Sequence, residues 1–209
     1  MRVLVVAGQK GGCGKSTLAG HLAVQAERAG DGPVVLVDAD PQGSLGAWWN
    51  ERKADTPAMA ALGEDLPGQL KELERGGVKL VVIDTPPSIT NEIRPFLAAA
   101  DLILLPVRPS PHDLRSVAGT LALAQEAKHK FLFVVNGAAA RAHTTAQTVA
   151  ALSQYGPVAP TIIFQRTDFG SSMVDGRTVM ELAPTCRSAK EIEELWAYTN
   201  KALNNEVIK

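Results

Sequence analysis

Nine residues near the start of the chain, Gln9-Lys10-Gly11-Gly12-Cys13-Gly14-Lys15-Ser16-Thr17, have the composition of a loop that grips phosphate. Glycines let the backbone curl so that successive N–H groups point inward at phosphate oxygens. Lys15 supplies the charge for the β- and γ-phosphates, and Ser16 a hydroxyl for Mg²⁺. Position 13 needs only a small side chain, which Cys13 provides. The commoner loop, G-x-x-x-x-G-K-[ST], would place glycine at position 9, where this chain has Gln9. It also has a second lysine, Lys10, directly before the glycines. A loop that already holds Lys15 needs no further charge for its own phosphates. From the start of the loop Lys10 reaches more easily to a phosphate held by a second subunit; the plain alternative is a solvated loop lysine.

Two carboxylate-bearing runs follow. Val34-Val35-Leu36-Val37-Asp38-Ala39-Asp40-Pro41-Gln42-Gly43 reads as a buried strand ending in two acids. Open α/β sheets bind ligands at the carboxyl ends of their strands, which places both acids at a nucleotide edge. Asp38 is assigned to the magnesium shell and Asp40 to orienting the attacking water. Leu80-Val81-Val82-Ile83-Asp84 is a second apolar run ending in an acid, the arrangement in which the carboxylate holds Mg²⁺ directly or through water.

These residues need a scaffold that brings three strand ends together. Strands are expected at Val3–Ala7, Val34–Asp38, Leu80–Asp84, Leu102–Pro106, Phe131–Asn136 and Thr161–Phe164. All are short, unalternating and rich in β-branched residues, as strands buried on both faces should be. Helices are expected at Ser16–Ala29, Gly43–Arg52, Pro67–Arg75, Asn91–Ala98, Asp113–Lys128, Thr145–Tyr155 and Ala189–Leu203. The last opens on Ser188-Ala189-Lys190-Glu191, a capping-box pattern. Alternation of this kind predicts a doubly wound, mostly parallel α/β sheet of the P-loop NTPase type with helices on both faces. Gln165–Arg187 reads as a long functional loop with room for a short helix. Residues 1–209 are expected to form a single domain: 45% hydrophobic and 21% charged residues suit one core, and no composition break marks a second. The net charge of −1 excludes a global field as the source of any nucleic-acid affinity. No apolar run approaches the roughly 20 residues of a membrane span. Cys13 and Cys186, far apart, exclude a disulfide framework and a C-x-x-C metal site.

Together the motifs resemble the ParA/MinD family of deviant-Walker partition and positioning ATPases. The resemblance covers nearly the whole chain. It rests on Q-K-G-G-C-G-K-S-T, V-D-A-D-P-Q-G-S and V-V-I-D-T-P-P. Three later stretches support it: Pro106 to Asp113, Phe133 to Asn136, and Phe164 to Phe169 followed by Gly176, Val179 and Glu181. The resemblance implies a nucleotide site formed by Lys10, Gly11, Gly12, Cys13, Gly14, Lys15, Ser16, Thr17 and Asn136, with Asn136 reading the adenine edge. It implies ATP and Mg²⁺ as cofactors, catalytic roles for Lys10, Lys15 and Asp40, and metal roles for Ser16 and Asp84 beside the Asp38 assigned above. It implies a nucleotide-sandwich homodimer in which Lys10 reaches the other subunit's ATP, with Asp113 in the interface.

Departures narrow the reading. Gln9 and D-P-Q-G point to the ParA side. The last helix carries Glu191, Glu193 and Glu194 rather than the basic face of an amphipathic membrane anchor, so no membrane partner is expected. The chain starts at the first strand, and no N-terminal helix-turn-helix domain is expected. What the resemblance then implies is a weak, partner-stimulated ATPase, cytoplasmic and nucleoid-associated, whose ATP dimer binds DNA non-specifically and positions a plasmid, chromosome region or protein cluster. The partner would be a ParB-like or other adaptor with a basic N-terminal segment. Candidate DNA contacts are Arg141, Arg166, Arg177, Arg187 and Lys190, against Asp168, Asp175 and Glu181 over the same stretch. Trp48 and Trp49 follow the Asp40 loop; at least one belongs to the core. The competing class is a metabolic P-loop enzyme of the dethiobiotin-synthetase-like type, which shares the fold but leaves D-A-D-P-Q-G unexplained.

Overall fold

The structure is a computed structural model that describes all residues except 62, 64, 88–92, 127–128, 141 and 207–209. Among the described residues seven strands form one sheet: β1 Arg2–Val6, β2 Val34–Asp38, β3 Ala58–Met59, β4 Leu80–Asp84, β5 Leu102–Val107, β6 Phe131–Ala138 and β7 Ile163–Phe164. Their spatial order is β3-β2-β4-β1-β5-β6-β7, and every pairing is parallel. The helices are α1 Lys15–Arg28, α2 Ser44–Asn50, α3 Leu66–Arg75, α4 Arg94–Ala99, α5 Pro111–Glu126, α6 His143–Ser153, α7 Thr167–Ser172, α8 Val179–Leu182 and α9 Arg187–Leu203.

The strand pleat sorts the apolar side chains into two cores. Leu4, Val6, Leu36, Leu80 and Val82 pack with Leu18, Leu22, Trp48, Leu195 and Trp196 on one face. Val3, Val5, Val37, Val81 and Ile83 pack with Leu70, Leu97, Leu121 and Leu152 on the other. Each strand is apolar at consecutive positions because both of its faces are covered. Fully burying one Leu or Val contributes about 1.5–3 kcal/mol, so the central strands are the most firmly held elements. Register sets the site: β2 pairs with β4 so that Asp38 lies opposite Asp84, and Val6 at the end of β1 also pairs with Asp84. Three loops therefore leave the sheet at one level of its carboxyl edge.

Four expectations are corrected. The sheet has a seventh strand, Ala58–Met59, too short to show a periodic signal. Gln165–Arg187, expected as a long loop with room for one short helix, contains two, α7 and α8, with a 3₁₀ turn at Met173–Asp175 between them. The last helix starts at Arg187 on the N-cap Cys186, whose Sγ accepts from Ala189 N at 3.3 Å. No capping box forms at Ser188, because both of its members serve tertiary contacts. Ser188 Oγ donates to Asp168 Oδ2 at 2.9 Å, and Glu191 accepts from Phe164 N at 3.1 Å and from Arg166. A capping box forms instead at Thr178 and Glu181, opening α8. Asn91, and Ala127–Lys128 at the end of the expected fifth helix, lie outside the described residues.

Candidate functional site

The phosphate loop runs from the end of β1 into α1. Gly12 at φ 74° and Gly14 at φ 92° are left-handed, a conformation that side-chain-bearing residues adopt rarely. Gly14 is doubly constrained, since a Cβ there would lie 2.2 Å from Asn136 Nδ2. The Asn136 carboxamide donates to Cys13 O at 2.6 Å and so braces the loop from β6. The first N–H groups of α1 have no intrahelical partner, as at any helix start, and face the loop with the positive end of the helix dipole. Lys15 is buried, its Nζ 3.5 Å from Lys10 O. Cys13 is buried beside it; burial pushes its thiol pKa up, against the opposing pull of Lys15.

Asp84 is fully buried at the end of β4. Its Oδ2 accepts from Ser16 Oγ at 2.5 Å, while its Oδ1 has no partner. Burial raises its pKa to about 7, with the Ser16 hydrogen bond and Lys15 pulling it down and Asp38 and Asp40 pushing it up. A buried carboxylate with one orphaned oxygen needs a counter-charge. A divalent cation on Ser16 and Asp84 fits that need. Among the described residues no group of three or more His, Cys, Asp or Glu could hold an ion unaided, so such a cation depends on phosphate oxygens as further ligands.

Asp38 and Asp40 lie where the strand predicts, with different partners. Asp38 Oδ1 accepts from Asp40 N at 3.1 Å and Oδ2 from Gly46 N at 2.8 Å. Both its oxygens fix the loop that carries Asp40. Asp40 is partly buried like Asp38, and its Oδ1 accepts from Gln42 N at 3.0 Å in a solvent-exposed hydrogen bond. Lys10 pairs with Asp113 of its own chain at 2.7 Å; the lysine side chain is 44% exposed and the aspartate 5%. Ser110 donates its hydroxyl to Asp113 and accepts from Asp113 N at 3.1 Å. The site thus gathers Lys15, Ser16, Asp38, Asp40 and Asp84 around one loop, with Lys10 turned aside onto the start of α5.

The candidate DNA contacts separate into two groups. Arg166 is bound to Glu191 and lies over the Phe164 ring at 5.4 Å. Arg177 pairs with Asp175 at 2.5 Å. Arg187 and Lys190 are exposed on the first turns of α9. Arg141 lies outside the described residues. Trp48 is buried and donates to Arg177 O at 3.0 Å; Trp49 is half-buried and donates to Pro57 O at 2.9 Å. Both indoles are thus internal ties.

Sequence reasoning missed His21 and Arg52. His21, fully buried, has Nδ1 2.8 Å from Thr17 O and Nε2 accepting from Val179 N at 3.3 Å. The N–H donor from Val179 fixes the tautomer: the proton sits on Nδ1 and goes to Thr17 O. Burial lowers the pKa of His21 to about 4. Its signal was a position one turn from Leu18 on the apolar face of α1.

A parallel sheet with a glycine loop between β1 and α1, a buried lysine, and a hydroxyl–carboxylate corner defines a P-loop nucleotide-binding protein. Residues 4–179 match the CobQ/CobB/MinD/ParA nucleotide binding domain, and the chain belongs to that family. Among similar proteins, "Maintenance of carboxysome distribution protein A" of Halothiobacillus neapolitanus is 33% identical over 198 residues, covering 90% of this chain and 91% of that one. "Protein ParA" of Rhizobium radiobacter is 30% identical over 167 residues, 75% of this chain and 74% of that one. The cell division ATPase MinD of Pyrococcus furiosus superposes with a TM-score of 0.78 at 19% identity, covering 96% of this chain and 98% of that one, a likeness of fold.

Proposed function

We propose that this protein is a ParA-like positioning ATPase that works as an ATP-dependent homodimer. The observation that carries the reading is the second lysine of the loop. Lys10 is absent from the common phosphate loop, is half-exposed, and is held on Asp113 rather than among its own chain's phosphate ligands. A lysine so placed is available to a nucleotide bound by a second copy. Lys15 would bind the β- and γ-phosphates, and Asp40, at the tip of the loop that Asp38 fixes, would orient the attacking water. Mg²⁺ on Ser16 and Asp84 would supply charge neutralisation at the phosphates, with Asp38 holding the loop beside it. Asn136, whose amide nitrogen is already given to Cys13 O, would offer its Oδ1 to the base edge.

The output of the dimer is non-specific DNA binding through the exposed cations Arg187 and Lys190, doubled by symmetry. An adaptor with a basic N-terminal segment resets the cycle by stimulating hydrolysis, because added positive charge near the γ-phosphate stabilises the transition state. A positioned cargo accords with relatives named for carboxysome distribution and for ParA. The chain is read as one domain acting in the cytoplasm on the nucleoid; among the described residues no helix is long and apolar enough to cross a membrane. The metabolic reading would need a substrate pocket beside the phosphates. The test is size-exclusion chromatography with light scattering, and DNA co-sedimentation, in ATP and in ADP. ATP-specific dimers that alone carry DNA down are expected; a monomer in both nucleotides would return the reading to the metabolic class.

A further inference from the structure

A guanidinium is buried at the far end of α2, away from every phosphate ligand. Arg52 has a side chain only 2% exposed. It donates to Glu181 Oε1 at 2.8 Å and Oε2 at 3.1 Å, to Gly176 O at 2.6 Å and to Thr56 O at 2.8 Å, and lies over the Trp48 ring at 5.1 Å. Its Nε has no partner. The contact is close: a Cβ on Gly176 would lie 2.3 Å from Arg52 N. Burying this charge is costly unless geometry repays it, and a hydrophobic side chain would close the same gap. The pair therefore calls for a reason beyond packing.

The reason lies in what α2 connects. Its first turn is tied to the sheet edge by Gly46 N on Asp38 Oδ2, and the loop before it carries Asp40. Its last turn is tied by Trp48, and the chain two residues past its end by Arg52, to the segment Gly176–Glu181. The same segment receives α1: Val179 N donates to His21 Nε2, and His21 holds Thr17 O in the first turn after the phosphate loop. Glu181 closes the arrangement by accepting from Thr178 N at 2.8 Å and Thr178 Oγ1 at 2.9 Å. The phosphate-loop helix and the Asp40 helix thus rest on one turn of backbone, and a seven-residue helix anchored at both ends moves as a rigid strut.

We infer that Arg52 and Glu181 are positioning residues for ATP hydrolysis: their fork clamps α2 against the turn that also backs α1, and so fixes Asp40 relative to the phosphates. The inference rests on the ATPase reading above. Loss of the clamp lets α2 pivot on its Asp38 tie. The phosphate loop keeps its own ligands, so nucleotide binding survives while the water is misplaced; displacements of about 1 Å from a distant change can cost about 100-fold in rate.

Two variants separate this role from plain stability. Glu181→Gln keeps the shape of the side chain but unpairs Arg52. The double variant Arg52→Met with Glu181→Met replaces the pair with apolar side chains, an exchange often neutral for folding. Fluorescent-ATP titration, circular-dichroism melting and single-turnover ATP hydrolysis are measured on the parent and both variants. The expected result is folded protein, ATP affinity within about threefold of the parent, and a hydrolysis rate lower by about ten- to a hundredfold. A folded double variant hydrolysing at the parental rate would overturn the inference. So would rate and affinity falling together with the folded fraction, or unfolding of both variants, since the clamp would then serve stability alone. A parent that binds no ATP or does not hydrolyse it would instead remove the ATPase reading, and this inference with it.

Discussion

The two lysines of the phosphate loop differ in burial, and that difference fixes what each should do. Lys15 is buried against the loop and Lys10 is half-exposed on Asp113. Lys15→Ala should abolish ATP binding, whereas Lys10→Ala should bind ATP as a monomer and lose the ATP-induced dimer. Light scattering in ATP distinguishes them, and an intact Lys10→Ala dimer with parental turnover would make Lys10 a solvated loop residue. Asp40, whose Oδ1 is held only by Gln42 N of its own loop, should be needed for hydrolysis but not for binding. Asp40→Ala is expected to bind ATP and dimerise while its turnover falls below detection; parental turnover in that variant would remove the water-orienting role. The basal rate itself should be on the order of one turnover per minute or slower, far below the roughly 10 s⁻¹ of ordinary enzymes, because a switch must persist in its ATP state.

Between elements, His21 is the group whose ionisation the fold resists. It bridges α1 and α8 in its neutral form, and burial holds its pKa near 4 against an ordinary value of 6.5. A histidine whose folded pKa is depressed lends stability above 6.5, and that stability drains away as pH falls from 6.5 toward 4. The loss is on the order of 3 kcal/mol. Urea melts of the parent and of His21→Gln should show a slope against pH in this window that the variant lacks; parallel curves would contradict the bridge. Asp84 acts with the opposite sign. Its raised folded pKa, about 7, favours the protonated form, so its burial costs stability as pH rises toward 7 until a cation compensates. Asp84→Asn should therefore make the parent's net pH dependence steeper. Much of this scaffold was legible in the sequence, because β1, β2, β4 and β5 are apolar runs, apart from Arg2 at the start of β1 and the acids Asp38 and Asp84 that end β2 and β4. Asp38 and Asp84 could be placed at one edge from such runs. What was illegible depends on contacts distant in sequence. Two residues suffice for β3 because it needs only β2 beside it. Ser188 and Glu191 have a cap's spacing but are drawn to Asp168 and Arg166. Arg52 and Glu181 find one another across 129 residues of chain, and no window reading could pair them. The box that does form, Thr178 with Glu181, has the same spacing, but the box was expected at Ser188 instead.

For the molecule as a whole, a net charge of −1 leaves a single copy with little affinity for DNA. Two copies presenting Arg187 and Lys190 would make about four phosphate contacts. Binding should require ATP, ignore sequence, and weaken with salt at a log–log slope of roughly −0.9 per contact. Arg187→Glu should lower affinity for every sequence alike and spare ATP binding. Arg166→Glu should do less to DNA binding and more to stability, since Arg166 is bound to Glu191. Equal binding in ADP, or a strong sequence preference, would contradict the mechanism. The ion pair of Lys10 with Asp113 adds an entry to the stoichiometry of assembly. If Lys10 must leave Asp113 to serve a neighbour, each dimer breaks two such pairs, one per protomer, so the free-energy penalty on the dimer constant is doubled. A partly exposed pair worth about 0.5–1 kcal/mol would then weaken association by about five- to thirtyfold. Asp113→Asn, which keeps the shape and discards the charge, should dimerise in ATP at correspondingly lower protein concentration. A dimer that loosens instead would place Asp113 among the contacts that the two copies share.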